Sequence, residues 1–347
     1  MIEPGAHTLP DGRAVEVVEI AGGGLRARVA TLGAALLNVW VPDGAGETAD
    51  VALGHAALAD YVDDPAFLGV AVGRVAGRIG GASVTVDGER YALDANDGPN
   101  TLHGGPHGLH SHVWTVADIG PDRVALETVS PDGEGGFPGT LRVRLAYTLA
   151  DGALALDWTA TTDRATPVAL THHGYWHPDG HDAGSVRDLV VQSDAGRMAC
   201  LGPDLVATGD LDPVAGTPFD LGAPVRLGDV LDADHRQLDL AGGLDHDLLV
   251  GEGADRQRRL RRVARVWGTG RGVDVWTTEP GVHLYAGAFL DVDGGKDGAR
   301  YGPCSGLAVE TQPPPDATAH PAFPDTVLQS GQTLCSRTEL RFHTDPA

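Results

Sequence analysis

Polar and apolar residues alternate along much of this chain. Arg13–Ile20 reads RAVEVVEI, Leu25–Ala30 reads LRARVA, Ser83–Asp87 reads SVTVD and Thr140–Tyr147 reads TLRVRLAY. The run Thr338–Phe342 has the same character. A period of two sets one row of side chains on a core and the other in water, so each run predicts a half-buried strand. DGER at 87–90 and ADGAL at 150–154 read as hairpin connections between such strands.

Helical pattern is scarce. HAALADYV at 55–62 predicts a short helix or turn, stopped by Asp63-Asp64-Pro65, and GDVLDADHRQL at 228–238 predicts another of about two turns. Many short strands and few helices predict an all-β fold, with antiparallel sheets packed face to face or closed into a barrel. Strand pattern runs through both halves without an internal repeat or a low-complexity linker, so residues 1–347 read as a single domain.

Composition narrows the function classes. Of 347 residues 42 % are apolar and 21 % charged, the balance of a globular protein. Acidic residues exceed basic ones, 48 to 25, for a formal charge of −23. That charge repels nucleic acid and anionic lipid, so neither is expected as a partner. No apolar run is long enough to span a membrane. The three cysteines, Cys200, Cys304 and Cys335, are widely spaced and form no CxxC pair. The first residues, MIEPGAHTLPDG, have neither a basic start nor an apolar run, and a cytoplasmic location is the expectation.

Four segments carry groups suited to chemistry. Gly73–Gly81, GRVAGRIGG, sets two arginines among glycines, where backbone can approach a ligand and Arg78 can offer its fork of donors. No GxGxxG is present, so this is not a dinucleotide fingerprint. Asn100–Leu109, NTLHGGPHGL, holds His103 before a glycine pair. Thr171–His177, THHGYWH, follows an apolar run and is expected on a strand. Alternation there puts His173, Tyr175 and His177 on one face and His172 and Trp176 on the other. HExxH is absent, and no metal is expected. Leu307–Ala317, LAVETQPPPDA, places Glu310 inside an apolar strand-like run. Such a carboxylate is paired, turned to solvent by alternation, or kept for chemistry, in which case burial raises it toward the range of a general base. DVDGGKDG at 291–298 resembles a calcium loop only loosely, because the terminal bidentate glutamate is missing, and it reads as a turn.

Taken in order, these segments resemble the aldose 1-epimerase (galactose mutarotase) family. The resemblance covers nearly the whole chain. It also takes in DVALGHAALADY at 50–61, VATGDLDPVAGTPFDL at 206–221, GGLDHDLLV at 242–250, TTEPGVHLYAGAFLD at 277–291 and the stretch 295–333. It implies a large twisted antiparallel β-sandwich, the galactose mutarotase-like supersandwich, with an open cleft on one sheet. It implies a small-molecule sugar as partner, and no cofactor or metal. The family's base glutamate falls on Glu310 and its acid histidine on His173. The other pocket groups fall on His103, Arg78 and the sugar-binding Asp245. Tyr175 and His283 are further candidates for substrate contact.

Several family amides are replaced. Gly77 and His172 stand where asparagine usually precedes the pocket arginine and the acid histidine. His177, His283 and Ala288 also stand at positions that usually carry amides. The acid–base pair is intact, so the expected reaction is ring opening, rotation about C1–C2 and ring closure of a free aldose. Other readings are a non-catalytic carbohydrate-binding sandwich, a glycoside hydrolase with Asp245 as second carboxylate, or a phosphosugar epimerase. A monomer and a homodimer are equally compatible with the sequence.

Overall fold

The computed structural model describes residues 1–250 and 259–344. The two Asp-Gly pairs turn hairpins as expected. Asp87 and Gly88 have φ of 50° and 83°, joining Ser83–Val86 to Glu89–Ala92, and Asp151 and Gly152, at 50° and 74°, join Leu141–Ala150 to Ala153–Thr162. Positive φ at both central positions matches the twist of the flanking strands.

Three large sheets follow from such pairings. The first is a five-stranded meander running Gly5–Thr8, Ala14–Gly22, Leu25–Ala30, Leu36–Pro42 and Thr48–Asp50. The second has nine strands, with Thr333–His343 near its middle, between Ala153–Thr162 and Gly272–Thr277. The last described strand therefore ties the two halves of the chain together. The third has six strands in the order Tyr175–Trp176, Leu307–Gln312, Gly281–Tyr285, Asp245–Leu249, Arg197–Leu201 and Ala207–Pro213. Pairing within these sheets is antiparallel throughout.

One apolar cluster binds the sheets face to face. Val143, Leu145, Leu154 and Trp158 of the nine-stranded sheet share it with Leu248, Val282, Leu284 and Val309 of the six-stranded one. Each buried aliphatic side chain contributes roughly 1.5–3 kcal/mol, which fixes the register of every strand that supplies one. The consequence for the site is direct. With Val309 and Val282 committed to the core, their neighbours Glu310 and His283 are turned to the other face of the sheet.

The expected short helices are present but smaller. Residues 55–62 contain one 3₁₀ turn, Leu58–Tyr61. The 228–238 segment divides into Leu227–Leu231 and Arg236–Ala241, because extended His235 caps the second helix by accepting the Gln237 N–H at 3.2 Å on Nδ1. The 291–298 turn is pinned by its lysine. Lys296 is buried and donates to Leu37 O at 2.9 Å, to Ala52 O at 2.6 Å and to the Asp50 carboxylate. The turn is thus tied through its ammonium group to acceptors at residues 37, 50 and 52, outside the turn itself. Arg74, the first arginine of GRVAGRIGG, is also structural: its guanidinium donates to Ser130 Oγ at 2.8 Å and to the carbonyls of Ser130, Pro131, Pro138 and Gly139.

Candidate active site

The outward face of the six-stranded sheet carries an unusual density of polar groups. Cross-strand register sets Asp247 opposite His283 and His283 opposite Glu310, and sets Asp245 opposite Tyr285. Directly opposed residues have Cβ atoms about 4.5–5.5 Å apart. The floor of the cleft is therefore a row of ionisable side chains on three adjacent strands. Above it lies a cavity of about 200 Å³. All seven residues expected at the site line this cavity: Arg78, His103, His173, Tyr175, Asp245, His283 and Glu310.

Loops bring the remaining groups to the floor. Gly77 and His103 bond reciprocally, Gly77 N–H to His103 Nδ1 at 3.2 Å and His103 N–H to Gly77 O at 3.1 Å. The first bond makes Nδ1 an acceptor, so the neutral ring carries its proton on Nε2 and is a donor there. Burial, with the neighbouring His173 and His110, holds His103 well below an ordinary imidazole. Arg78 is fixed by Asp97, Nε to Oδ2 at 2.8 Å. Gly77 has φ of 73°, and a Cβ there would stand 2.6 Å from Pro315 Cβ, so this chain has no room for a side chain before Arg78.

Gly104 shows how tightly the His103 loop is seated. Its φ is 86°, and a Cβ would meet Gly73 O at 2.0 Å. Gly98, with φ of 58°, has open space where its Cβ would be. Gly104→Ala should cost at least about 3 kcal/mol, whereas Gly98→Ala should cost only about 1 kcal/mol from its backbone conformation. Thermal unfolding of the two variants checks this; equal melting temperatures would contradict the seating of the loop.

His173 and Glu310 face one another, Nε2 to Oε1, at 3.4 Å. Both are nearly sealed from solvent, at 5 % and 2 % exposure. Burial pushes the Glu310 carboxyl up to about 8. Burial, followed by the positive charge of His283, pulls His173 down to about 4. Near neutrality the pair thus holds a single proton, on the carboxyl. Glu310 Oε2 and the nearby Gln312 Oε1 are buried without a hydrogen-bond partner. Buried acceptors of this kind are costly unless something fills them, and here they border the cavity.

The seven-residue stretch Thr171–His177 departs from expectation. It is not one strand: Thr171–His172 pairs with Ala71–Val72, and Tyr175–Trp176 pairs with Leu307–Ala308. Between them the His173 N–H bonds Val70 O at 2.9 Å and its carbonyl accepts from Gly69 N–H at 2.9 Å. His173 and Tyr175 still share the cleft, and His172 and Trp176 point into the core beside Leu156 and Val309. His177, expected beside them, is buried elsewhere: it follows the end of the strand at Trp176, and its N–H bonds Val51 O at 2.9 Å. Ala288 also lies outside the cavity lining.

Four functional neighbours were not anticipated. Phe67 packs edge-on against His103 and also touches His173, with ring centroids at 4.8 and 5.9 Å. It sits in a loop at φ of 54°, where no periodicity announces it. Asp247 and Gln312 had a signal, since alternation in LDHD and VETQ puts them beside Asp245 and Glu310. Exposed Phe289 stands at the rim. Among the described residues no three His, Cys, Asp or Glu side chains converge as they would around a metal ion.

A carboxyl–imidazole pair under a polar cavity on a β-sandwich defines an acid–base enzyme for a small hydroxylated substrate. The sequence profile of the aldose 1-epimerase family matches residues 16–341. The galactose mutarotase of Sus scrofa is 38 % identical over 328 residues, 93 % of each chain. The aldose 1-epimerase of Escherichia coli K12 is 32 % identical over 339 residues, 96 % of each. The crystal structure of the GalM/aldose epimerase homologue from C. elegans superposes with a TM-score of 0.88 at 30 % identity, covering 96 % of this chain and all of that one. The chain belongs to the aldose 1-epimerase family. It is an isomerase that interconverts the α and β anomers of an aldose, and its fold is the galactose mutarotase-like sandwich.

Proposed function

We propose that Glu310 and His173 carry the proton exchange of mutarotation on a free hexopyranose such as galactose or glucose. The observation that carries this reading is the 3.4 Å contact between the two buried groups beneath the cavity. Moving the pair's one proton from Glu310 to His173 gives the carboxylate–imidazolium form. Glu310 then removes the proton of the C1 hydroxyl while His173 protonates O5, and the C1–O5 bond breaks to give the open aldehyde. Rotation about C1–C2 presents the other face of C1, O5 re-adds, and both protons return. Each group is worth about 10²–10⁴-fold in such a step. His103, as a neutral donor, and Arg78 stabilise charge developing on oxygen. Asp245 accepts from sugar hydroxyls, which makes recognition selective because an unmatched partner is costly. Tyr175 packs beneath His173, with ring centroids 5.0 Å apart, and keeps that ring in place.

The named substrates of the relatives support a hexose. The charge of the lining supports an unphosphorylated one: Arg78 and His283 are each already paired with carboxylates, so a phosphate meets no unmatched cation there. The continuous core, drawing on residues from Val18 to Leu340, supports one catalytic domain. Unpaired Cys200, Cys304 and exposed Cys335 fit a reducing compartment, and we assign the protein to the cytoplasm.

The test is polarimetry on freshly dissolved α-D-galactose, α-D-glucose, L-arabinose and D-xylose. Accelerated decay of rotation is expected, fastest for a hexose. Sugar binding without acceleration would make the protein a binding module, and release of reducing sugar from a glycoside would make it a hydrolase. The pH profile is a second test. The active pair holds one proton, which Glu310 loses above about 8 and which a second joins, on His173, below about 4. Activity is thus expected to form a plateau between those limits and to fall on both sides, the limbs belonging to the pair as a unit. A profile that climbs steadily through pH 8 would contradict the pairing.

A further inference from the structure

His283 occupies a position for which the reaction has no proton-transfer step, yet it is the most highly charged junction of the cleft. Its Nε2 lies 2.8 Å from Asp245 Oδ1 and its Nδ1 lies 3.1 Å from Asp247 Oδ2. Both ring nitrogens therefore face carboxylate oxygens. An ionised carboxylate only accepts, so both contacts are hydrogen bonds only when the ring carries both protons. The clamp is shielded, with side-chain exposures of 17 % for His283, 12 % for Asp245 and 5 % for Asp247. Asp247 is itself held from its other side by Gln312 Nε2 at 2.9 Å.

We propose that His283 is a positioning residue for mutarotation, an imidazolium clamped between Asp245 and Asp247 that orients the sugar-facing Asp245 and presents its positive charge to Glu310 across the strand pair. This rests on the roles given above to Glu310 and His173. Charge counting supplies the reason. Without the imidazolium, Asp245 and Asp247 on one strand and ionised Glu310 on another would put three negative charges on either side of the His283 strand. With it, the carboxylate that the reaction needs has a cation opposite.

The groups facing His283 are accounted for from every side. Asp245 and Asp247 flank it on one strand, Glu310 opposes it on the other, and Tyr285 shares its own strand. His173 and His103 stand on the loops above, and burial holds both rings neutral near pH 7. Arg78 is matched by Asp97, and Asp64, which also acts on His173, lies 3.1 Å from His55 Nε2. His246 lies on the far face of its strand, where burial pulls it down to about 4. Burial opposes the cation on His283 too, and the two aspartates overcome that and raise it well above an ordinary imidazole.

The clamp predicts a translation of the pH profile, which a purely structural residue would not produce. Removing the cation raises both Glu310 and His173, so in His283→Gln both limbs of kcat/KM should move up by about one unit. Removing the second aspartate does the reverse, so in Asp247→Asn both limbs should move down. In ¹⁵N spectra of the wild type at about pH 8, with His283→Gln giving the assignment, both ring nitrogens of His283 should be protonated. Circular dichroism reports whether each variant is folded, and the spectrum of the wild type stands if one is not. Limbs that superpose on the wild type in both folded variants, or a neutral His283 ring, would overturn the proposal. Glu310→Gln assayed in parallel separates the two readings. If it is inactive while the limbs stay fixed, only the clamp fails; if it is active, the acid–base assignment fails and takes the clamp with it.

Discussion

Glu310→Gln should lower kcat by about 10²–10⁴-fold while leaving KM within a few-fold of the wild type. Glutamine keeps the size and hydrogen-bonding outline of the side chain but cannot take the C1 hydroxyl proton. The same substitution should stabilise the fold at alkaline pH. The folded carboxyl titrates near 8 against an ordinary 4.5, so between those values the folded chain binds more protons than the unfolded one. Stability from this group therefore falls as pH rises through that window. Glu310→Gln has no charge to bury and should melt above the wild type at about pH 8–9, with little difference at about pH 5. Polarimetry and thermal unfolding on one preparation measure both effects. Loss of activity together with a gain of alkaline stability is what a buried base requires, and a variant that is less stable at every pH would point to damage to the fold instead.

That pairing of function with cost explains what could and could not be read from the sequence. The strand Leu141–Ala150 was legible because one face meets the core and the other reaches water, whereas Leu25–Ala30 alternates in sequence but exposes only Arg26. Leu307–Gln312 was not legible in that way, since all six of its residues are buried and the contrast that alternation depends on is gone. What survived was relative facing: Glu310 must oppose Val309 and accompany Gln312, whatever covers them. His177 was misplaced for a related reason. The strand Tyr175–Trp176 ends before His177, whose N–H instead bonds Val51 O at 2.9 Å, so the alternation that sets Tyr175 beside His173 does not extend to it. Phe67 and Asp97 had no signal, because they reach the site from loops whose course is set by tertiary contacts. The His283 substitution was visible in the sequence, but its meaning was not: only the register that lays Asp247, His283 and Glu310 side by side turns it into a clamp.

His173→Asn should be as damaging to turnover as Glu310→Gln, by about 10²–10⁴-fold, and it should also invert the alkaline limb. In the wild type the pair shares one proton, so activity falls above about 8 as Glu310 gives it up. Asparagine takes up no proton, so in the variant the residual reaction depends only on Glu310 being ionised. Its rate should be low at neutral pH, where the buried carboxyl is still protonated, and should climb through pH 8 as the carboxylate forms. The acid limb near 4 should vanish with the imidazole that creates it. Opposite slopes at the same pH in two proteins differing by one side chain are difficult to obtain from a change in folding or in sugar affinity. If His173→Asn instead kept the wild-type plateau at reduced height, the ring would be a packing element, and His103, 5.2 Å from it between ring centroids, would become the acid to test.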